Sequence, residues 1–199
     1  MAAESENPTN HPPSYDAILK AAIEEYVLNG RAGVRMEAVA ARAGVNKTLV
    51  YRHFGDRDSL FKKALEAVFE DRFSLLDRLP MDVSKLFDLW TKRFASDTTF
   101  LRMLMREALE HGESEPVHKE VRAQYYKEQV KQIEQLQEDG ELPGEIEASH
   151  LFLMLSAILA FPFLLPQITE LLTGLKPSSK AFQRDWKESY KELLKCLKE

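Results

Sequence analysis

Between Asn46 and Arg57, twelve positions hold an amide, three cations, a hydroxyl, a phenol and an imidazole: Asn46, Lys47, Arg52, Arg57, Thr48, Tyr51 and His53. These groups attract anions and exchange hydrogen bonds, which suits recognition rather than bond-breaking. Lys47 and Arg52 can reach guanine O6 and N7 or phosphate, and the Thr48 hydroxyl can bond base edges on either strand. Leu49, set among them, either meets a thymine methyl or is buried against the first helix. Arg57 stands at the start of a helix, where the backbone dipole favours an anion.

The stretch from Arg31 to Leu60 carries Arg31, Arg35, Arg42, Lys47, Arg52 and Arg57 against Glu37, Asp56 and Asp58. In a chain of net charge −5, that basic surplus indicates one nucleic-acid-facing surface rather than general stickiness. A solvated basic loop and helix pair in an ordinary bundle would carry the same charges. Catalytic signatures are missing: no Gly-rich phosphate loop, no Gly-x-Ser-x-Gly elbow and no His-Glu-x-x-His occurs. The histidines, His11, His53, His111, His118 and His150, are scattered. Cys196 is the only cysteine, which excludes an internal disulfide and a thiolate zinc cluster. No catalytic residue, metal or cofactor is expected.

The elements that must position these side chains read as helices throughout. Tyr15, Ile18, Leu19, Ala22, Ile23, Tyr26 and Val27 share one helical face, ended by Asn29-Gly30 and Gly33. A short second helix turns Met36, Val39, Ala40 and Ala43 inward and breaks at Gly44; Asn46 is placed to cap a third helix from Lys47 to about His53. On that third helix Val45, Val50 and Phe54 point inward. A fourth helix starts near Asp56-Arg57-Asp58, carries Phe61, Leu65, Val68, Phe69 and Phe73 as its apolar stripe, and is closed by Pro80. Val83–Phe94, Phe100–Leu109, Pro116–Glu138, a helix from about Glu147 and a last one bearing Phe182, Trp186, Tyr190, Leu193 and Leu197 complete about nine helices. The expected fold class is all-α: a three-helix domain over residues 14–60, a larger helical domain over 61–199, and a disordered leader over 1–13. That leader has no Lys or Arg and no apolar core, so no export signal is expected. The apolar run Leu151–Leu165 is too short to span a bilayer; the expectation is a cytoplasmic protein without a membrane partner.

Two short helices joined by a tight Gly-containing turn make a helix-turn-helix, whose second helix enters the major groove. The residues Val39-Ala40, Ala43-Gly44-Val45, Tyr51, Phe54, Arg57 and Leu60 agree in order and spacing with one family pattern. Over roughly residues 15–61 the chain resembles the DNA-binding domain of the TetR family of bacterial repressors. It departs at Arg35-Met36, where the family often has Thr with Val, and at Thr48-Leu49-Val50, which replaces a frequent Gly-Thr/Ala-Leu run. An arginine at position 35 can still contact phosphate. The resemblance implies phosphate contacts for Tyr51, His53 and Arg57; read from the residues alone, Tyr51 could be a core tyrosine and His53 an ordinary surface histidine.

The resemblance further implies that 14–60 is a helix-turn-helix DNA-binding domain and 61–199 a helical regulatory and dimerisation domain, in a homodimeric repressor that leaves a palindromic double-stranded DNA operator when a small-molecule effector binds. The helices near 147–172 and 180–198 carry more apolar surface than one subunit of this size easily covers, so they are the expected dimer surface; in a monomer they would be core helices. For the effector, Phe87, Trp90, Phe94, Met103, Met105 and Phe152 are candidate apolar contacts. Arg106, Glu107, His111 and Tyr125 are candidate polar ones, and the effector is expected to be hydrophobic or aromatic. Cys196 is read as a packing residue or an exposed thiol. Competing readings are an enzyme assembled from distant residues, a protein-interaction module using the 116–138 helix, and an activator with the same DNA binding.

Overall fold

The computed structural model describes residues 12–75, 79–112 and 115–197, without the His111 side chain. Among them run ten α-helices and no strand: α1 (Pro13–Gly33), α2 (Met36–Ala43), α3 (Lys47–Phe54), α4 (Arg57–Phe73), α5 (Val83–Ser96), α6 (Thr99–His111), α7 (Lys119–Glu138), α8 (Ala148–Leu164), α9 (Pro166–Thr173) and α10 (Lys180–Cys196). The chain divides into two compact units, Met1–Ala67 and Val68–Glu199. Residues 1–11 of the expected leader lie outside the described residues.

In the first unit α1 begins at Pro13 rather than Tyr15, because proline suits the first helical position, where its missing N–H costs nothing. Gly30, at φ 65°, interrupts it where Asn29-Gly30 predicts an end, and one further turn follows to Gly33. The core holds Ile18, Ala22, Tyr26, Val39, Val50, Leu60, Phe61, Ala64 and Leu65, all buried. The 3.6-residue stripes of α1 and α4 put Tyr26 and Phe61 edge to face at 4.9 Å.

The second unit buries Val83 and Phe87 of α5, Ile133 and Leu136 of α7, Leu151 and Leu155 of α8, and Tyr190 and Leu194 of α10 in one cluster. Phe87 and Tyr190 stack at 4.1 Å. On α10 the inner face is Phe182, Trp186, Tyr190 and Leu194, a four-residue step. Leu193 and Leu197, expected inward, are exposed. α4 stops at Phe73, short of Pro80, and α7 starts at Lys119 rather than Pro116.

The tenth helix arises where one apolar helix is expected. Pro162 sits inside α8, and its carbonyl would normally accept from the N–H of residue 166, which is a proline without one. The Thr169 hydroxyl donates to that carbonyl at 3.2 Å instead, and α9 leaves α8 at 88°. No single described helix is long and apolar enough to cross a membrane. The bend leaves Leu153, Met154 and Phe161 of α8 and Ile168, Leu171 and Leu172 of α9 exposed, the last two at 86% and 77%.

Candidate nucleic-acid interface and effector cavity

The turn between α2 and α3 is built from two local devices. Gly44 takes the left-handed conformation at φ 69°, which L side chains avoid; its N–H bonds the Ala41 carbonyl while the Val45 N–H reaches back to that of Ala40. Two residues on, the Asn46 side-chain oxygen accepts the Leu49 N–H at 2.9 Å and caps α3. Val50 and Phe54 then anchor α3 in the core, Phe54 stacking on Tyr15 at 4.5 Å, while Val45 is half-buried. At the start of α4, Asp56 accepts the Ser59 N–H at 2.7 Å, and this hydrogen bonding holds its carboxyl below the usual range. The buried Tyr26 hydroxyl donates to the Arg57 carbonyl at 2.6 Å, which fixes the backbone of the first turn.

These devices leave Arg35, Asn46, Lys47, Thr48, Tyr51, Arg52 and Arg57 exposed. Arg35 occupies the N-cap position of α2, yet its side chain makes no cap bond. Neither Arg35 nor Arg52 forms an ion pair among the described residues, though the charge of Arg35 acts on the nearby Glu37 carboxylate. Arg57 Nη1 donates to the Ala32 carbonyl at 3.4 Å. Tyr51 is 43% exposed, not a core tyrosine, and the Lys47 ammonium lies 5.5 Å from its ring. Lys47 also pairs with Glu37, whose carboxyl it holds below the usual range. Leu49 is half-buried. His53 is half-buried as well: its ring meets Tyr15 edge-on and its Nε2 lies 3.1 Å from the Ser14 hydroxyl. A phosphate at His53 must use the other ring nitrogen or displace Ser14. Arg42, counted in the basic surplus, is spent on packing: it pairs with Glu24 at 3.1 Å and with the buried Glu25 at 2.7 Å, both on α1.

The second unit holds a cavity of about 690 Å³, within the range of small-molecule sites. Phe87, Trp90, Phe94, Met105, Tyr125 and Phe152 line it, as does Arg72, which sequence reasoning missed. Met103, Arg106 and Glu107 do not. Met103 is wholly buried, and the buried Glu107 carboxylate is consumed by Arg122 at 2.5 Å and by the Val117 N–H at 3.0 Å. The His111 side chain lies outside the described residues. A signal for Arg72 existed: it falls four residues after Val68 and seven after Leu65, on the apolar stripe of α4, where a solvated cation would not sit. Burial pushes the Arg72 guanidinium down to about 10 and the Tyr125 hydroxyl up to about 12.

Comparison with known proteins places both units. The family described as "Bacterial regulatory proteins, tetR family" matches residues 18–64, and "Tetracyclin repressor-like, C-terminal domain" matches 83–188. The HTH-type transcriptional repressor SCO4008 of Streptomyces coelicolor is 31% identical over 157 residues, covering 79% of this chain and 82% of that protein. Among solved structures, SCO4942 of Streptomyces coelicolor superposes with a TM-score of 0.75 at 19% identity, over 90% of this chain and 97% of that one. GusR of Salmonella enterica does so with a TM-score of 0.67 at 18% identity, over 96% and 100%.

Proposed function

This chain belongs to the TetR family of bacterial regulatory proteins and is a DNA-binding transcriptional regulator; we propose that it works in the cytoplasm as a homodimeric repressor, without catalysis, and leaves a palindromic operator when a small molecule enters the cavity of the second unit. The observation that carries the DNA-binding side is the partition of α3, with Val50 and Phe54 buried while Lys47, Thr48, Tyr51 and Arg52 are exposed. In this reading Lys47, Thr48 and Arg52 meet base edges, with Leu49 against a thymine methyl. Arg35, Tyr51, His53 and Arg57 hold phosphate and set the register. Asn46 caps the helix and leaves its amide nitrogen for the groove rim. Lys47 exchanges Glu37 for DNA as it docks.

One helix-turn-helix has a small footprint, so two copies are needed for half-sites a helical turn or more apart. The exposed apolar residues of α8, α9 and α10 support the pairing: contiguous leucines of this kind on a subunit surface mark an interface. The effector side rests on the cavity, whose walls favour a hydrophobic ligand. α4 carries both Arg57 and Arg72, so it is the element through which a ligand would change DNA affinity, with a coupling of about 1–3 kcal/mol that acts in both directions.

Selection of bound fragments from random duplex DNA tests the reading. A palindromic consensus, footprinted by a dimer and weakened by ligands that fill the cavity, is expected. A non-palindromic consensus bound by one subunit would refute the dimeric operator.

A further inference from the structure

Resting on the effector cavity proposed above, one side chain narrows what that cavity takes. Arg72 is only 4% exposed, yet no carboxylate or hydrogen-bond acceptor takes its guanidinium among the described residues. It is instead wrapped by rings, with Phe100 at 4.0 Å, Trp90 at 4.5 Å and Phe94 at 5.0 Å. Two acids act on it from a distance without bonding it: Asp71 is already paired with Arg93, and Asp97 accepts the Thr99 N–H. Burying a cation without its counter-charge is costly, and aromatic faces offset only part of that cost. Glu107 and Arg122 show the usual solution elsewhere in the same unit, a buried pair at 2.5 Å. At Arg72 the missing partner has an obvious place, since this residue borders the cavity.

We propose that the ligand is a hydrophobic monoanion, an apolar body with one carboxylate, whose head is received by Arg72 and whose body lies among Leu86, Leu104, Phe152 and Leu159. The guanidinium presents two parallel N–H donors to a carboxylate, a geometry no neutral head can match in charge. Among the described residues the walls hold no other charged side chain: Gln129, Gln132, Ser149 and Ser156 offer only neutral hydrogen bonds, as do Tyr125 and Tyr126. A dianion or a zwitterion would therefore leave a charge unpaired, and a cation would face Arg72 directly. Sequence patterns alone do not reveal this, because a stripe position shows that Arg72 is buried but not that its partner is absent.

The test uses the full-length protein and matched probes: decanoate against 1-decanol and decylamine, and 2-naphthoate against 2-naphthalenemethanol, titrated calorimetrically and, in a Trp186→Phe background, by the emission of Trp90. At least one acid binds ten-fold or more tightly than its alcohol, and decylamine binds worst; which acid it is distinguishes an aliphatic from an aromatic ligand. Arg72→Gln and the similarly shaped Arg72→Met abolish the preference for acid while retaining alcohol binding, and Arg72→Lys keeps part of it. Retained helical circular dichroism and alcohol binding show that the variants still fold. Equal affinity for acid and alcohol, a preference that survives in Arg72→Gln, or no binding of any probe overturns the proposal. Acid binding through Arg72 that leaves operator affinity unchanged upholds this ligand site and defeats the repressor-release reading instead.

Discussion

At the scale of single residues, the proposed DNA-facing surface mixes exposed cations with ones drawn into ion pairs, and the distinction decides what substitutions do. Arg57 is exposed and its backbone is held by the Tyr26 hydroxyl. Arg57→Ala should weaken binding to all sequences alike and lower the salt slope of log K by about 1, read in gel-shift titrations at several salt concentrations. Thr48→Ala should instead relax discrimination at one base pair by about 1–3 kcal/mol, read by competition among operator variants. The opposite pattern would mean that α3 docks in another register. Tyr26→Phe removes a buried hydrogen bond and should cost about 1 kcal/mol in a urea melt. It should also reduce DNA affinity, because the first turn of α4 then loses its tether.

The helix-turn-helix is, as an element, local chemistry. Gly44 adopts φ 69° with nothing near the place where a Cβ would sit, so Gly44→Ala costs backbone strain alone, about 1–2 kcal/mol. Asn46→Ala removes the cap of α3 and should cost about 1 kcal/mol. Thermal melts of the two variants check both values, and a Gly44→Ala protein as stable as the parent would show that the turn relaxes out of its left-handed form. These signals lie within three residues of the positions they govern, which is why the turn and the inner face of α3 were legible. The tenth helix was not, because the α8–α9 bend depends on the Thr169 hydroxyl reaching the Pro162 carbonyl, seven residues away. On α10 the apolar residues allow two overlapping stripes, and packing chose Leu194 over Leu193.

At the scale of the whole molecule, the proposed pairing depends on surfaces that one chain leaves open. Leu171 and Leu172 of α9 are exposed far beyond the other large apolar residues of this unit, apart from Leu109 and Leu153. Leu171→Glu with Leu172→Glu should shift the proposed dimer to monomer in sedimentation near micromolar concentration. Since neither side chain is buried within the subunit, helical content should not change. A parent protein that already sediments as a monomer would remove the basis of the paired-operator reading.

Composition, periodicity and the glycine and asparagine punctuation were enough to establish an all-helical chain, the helix-turn-helix and its exposed polar residues, because each depends on neighbours a few positions apart. Pairings across the chain were decided only in three dimensions. Arg42 is drawn off to Glu24 and Glu25, His53 to Ser14, and Glu107 to Arg122, so three ionisable groups of known type have environments that spacing does not encode. Arg72 is the sharpest case: helical periodicity places it on a buried stripe, but only the packed aromatic walls show a cation facing a cavity with no acid among the described residues bonded to it. A stripe reports which face leaves water, whereas charge balance inside that face depends on residues brought together by the fold.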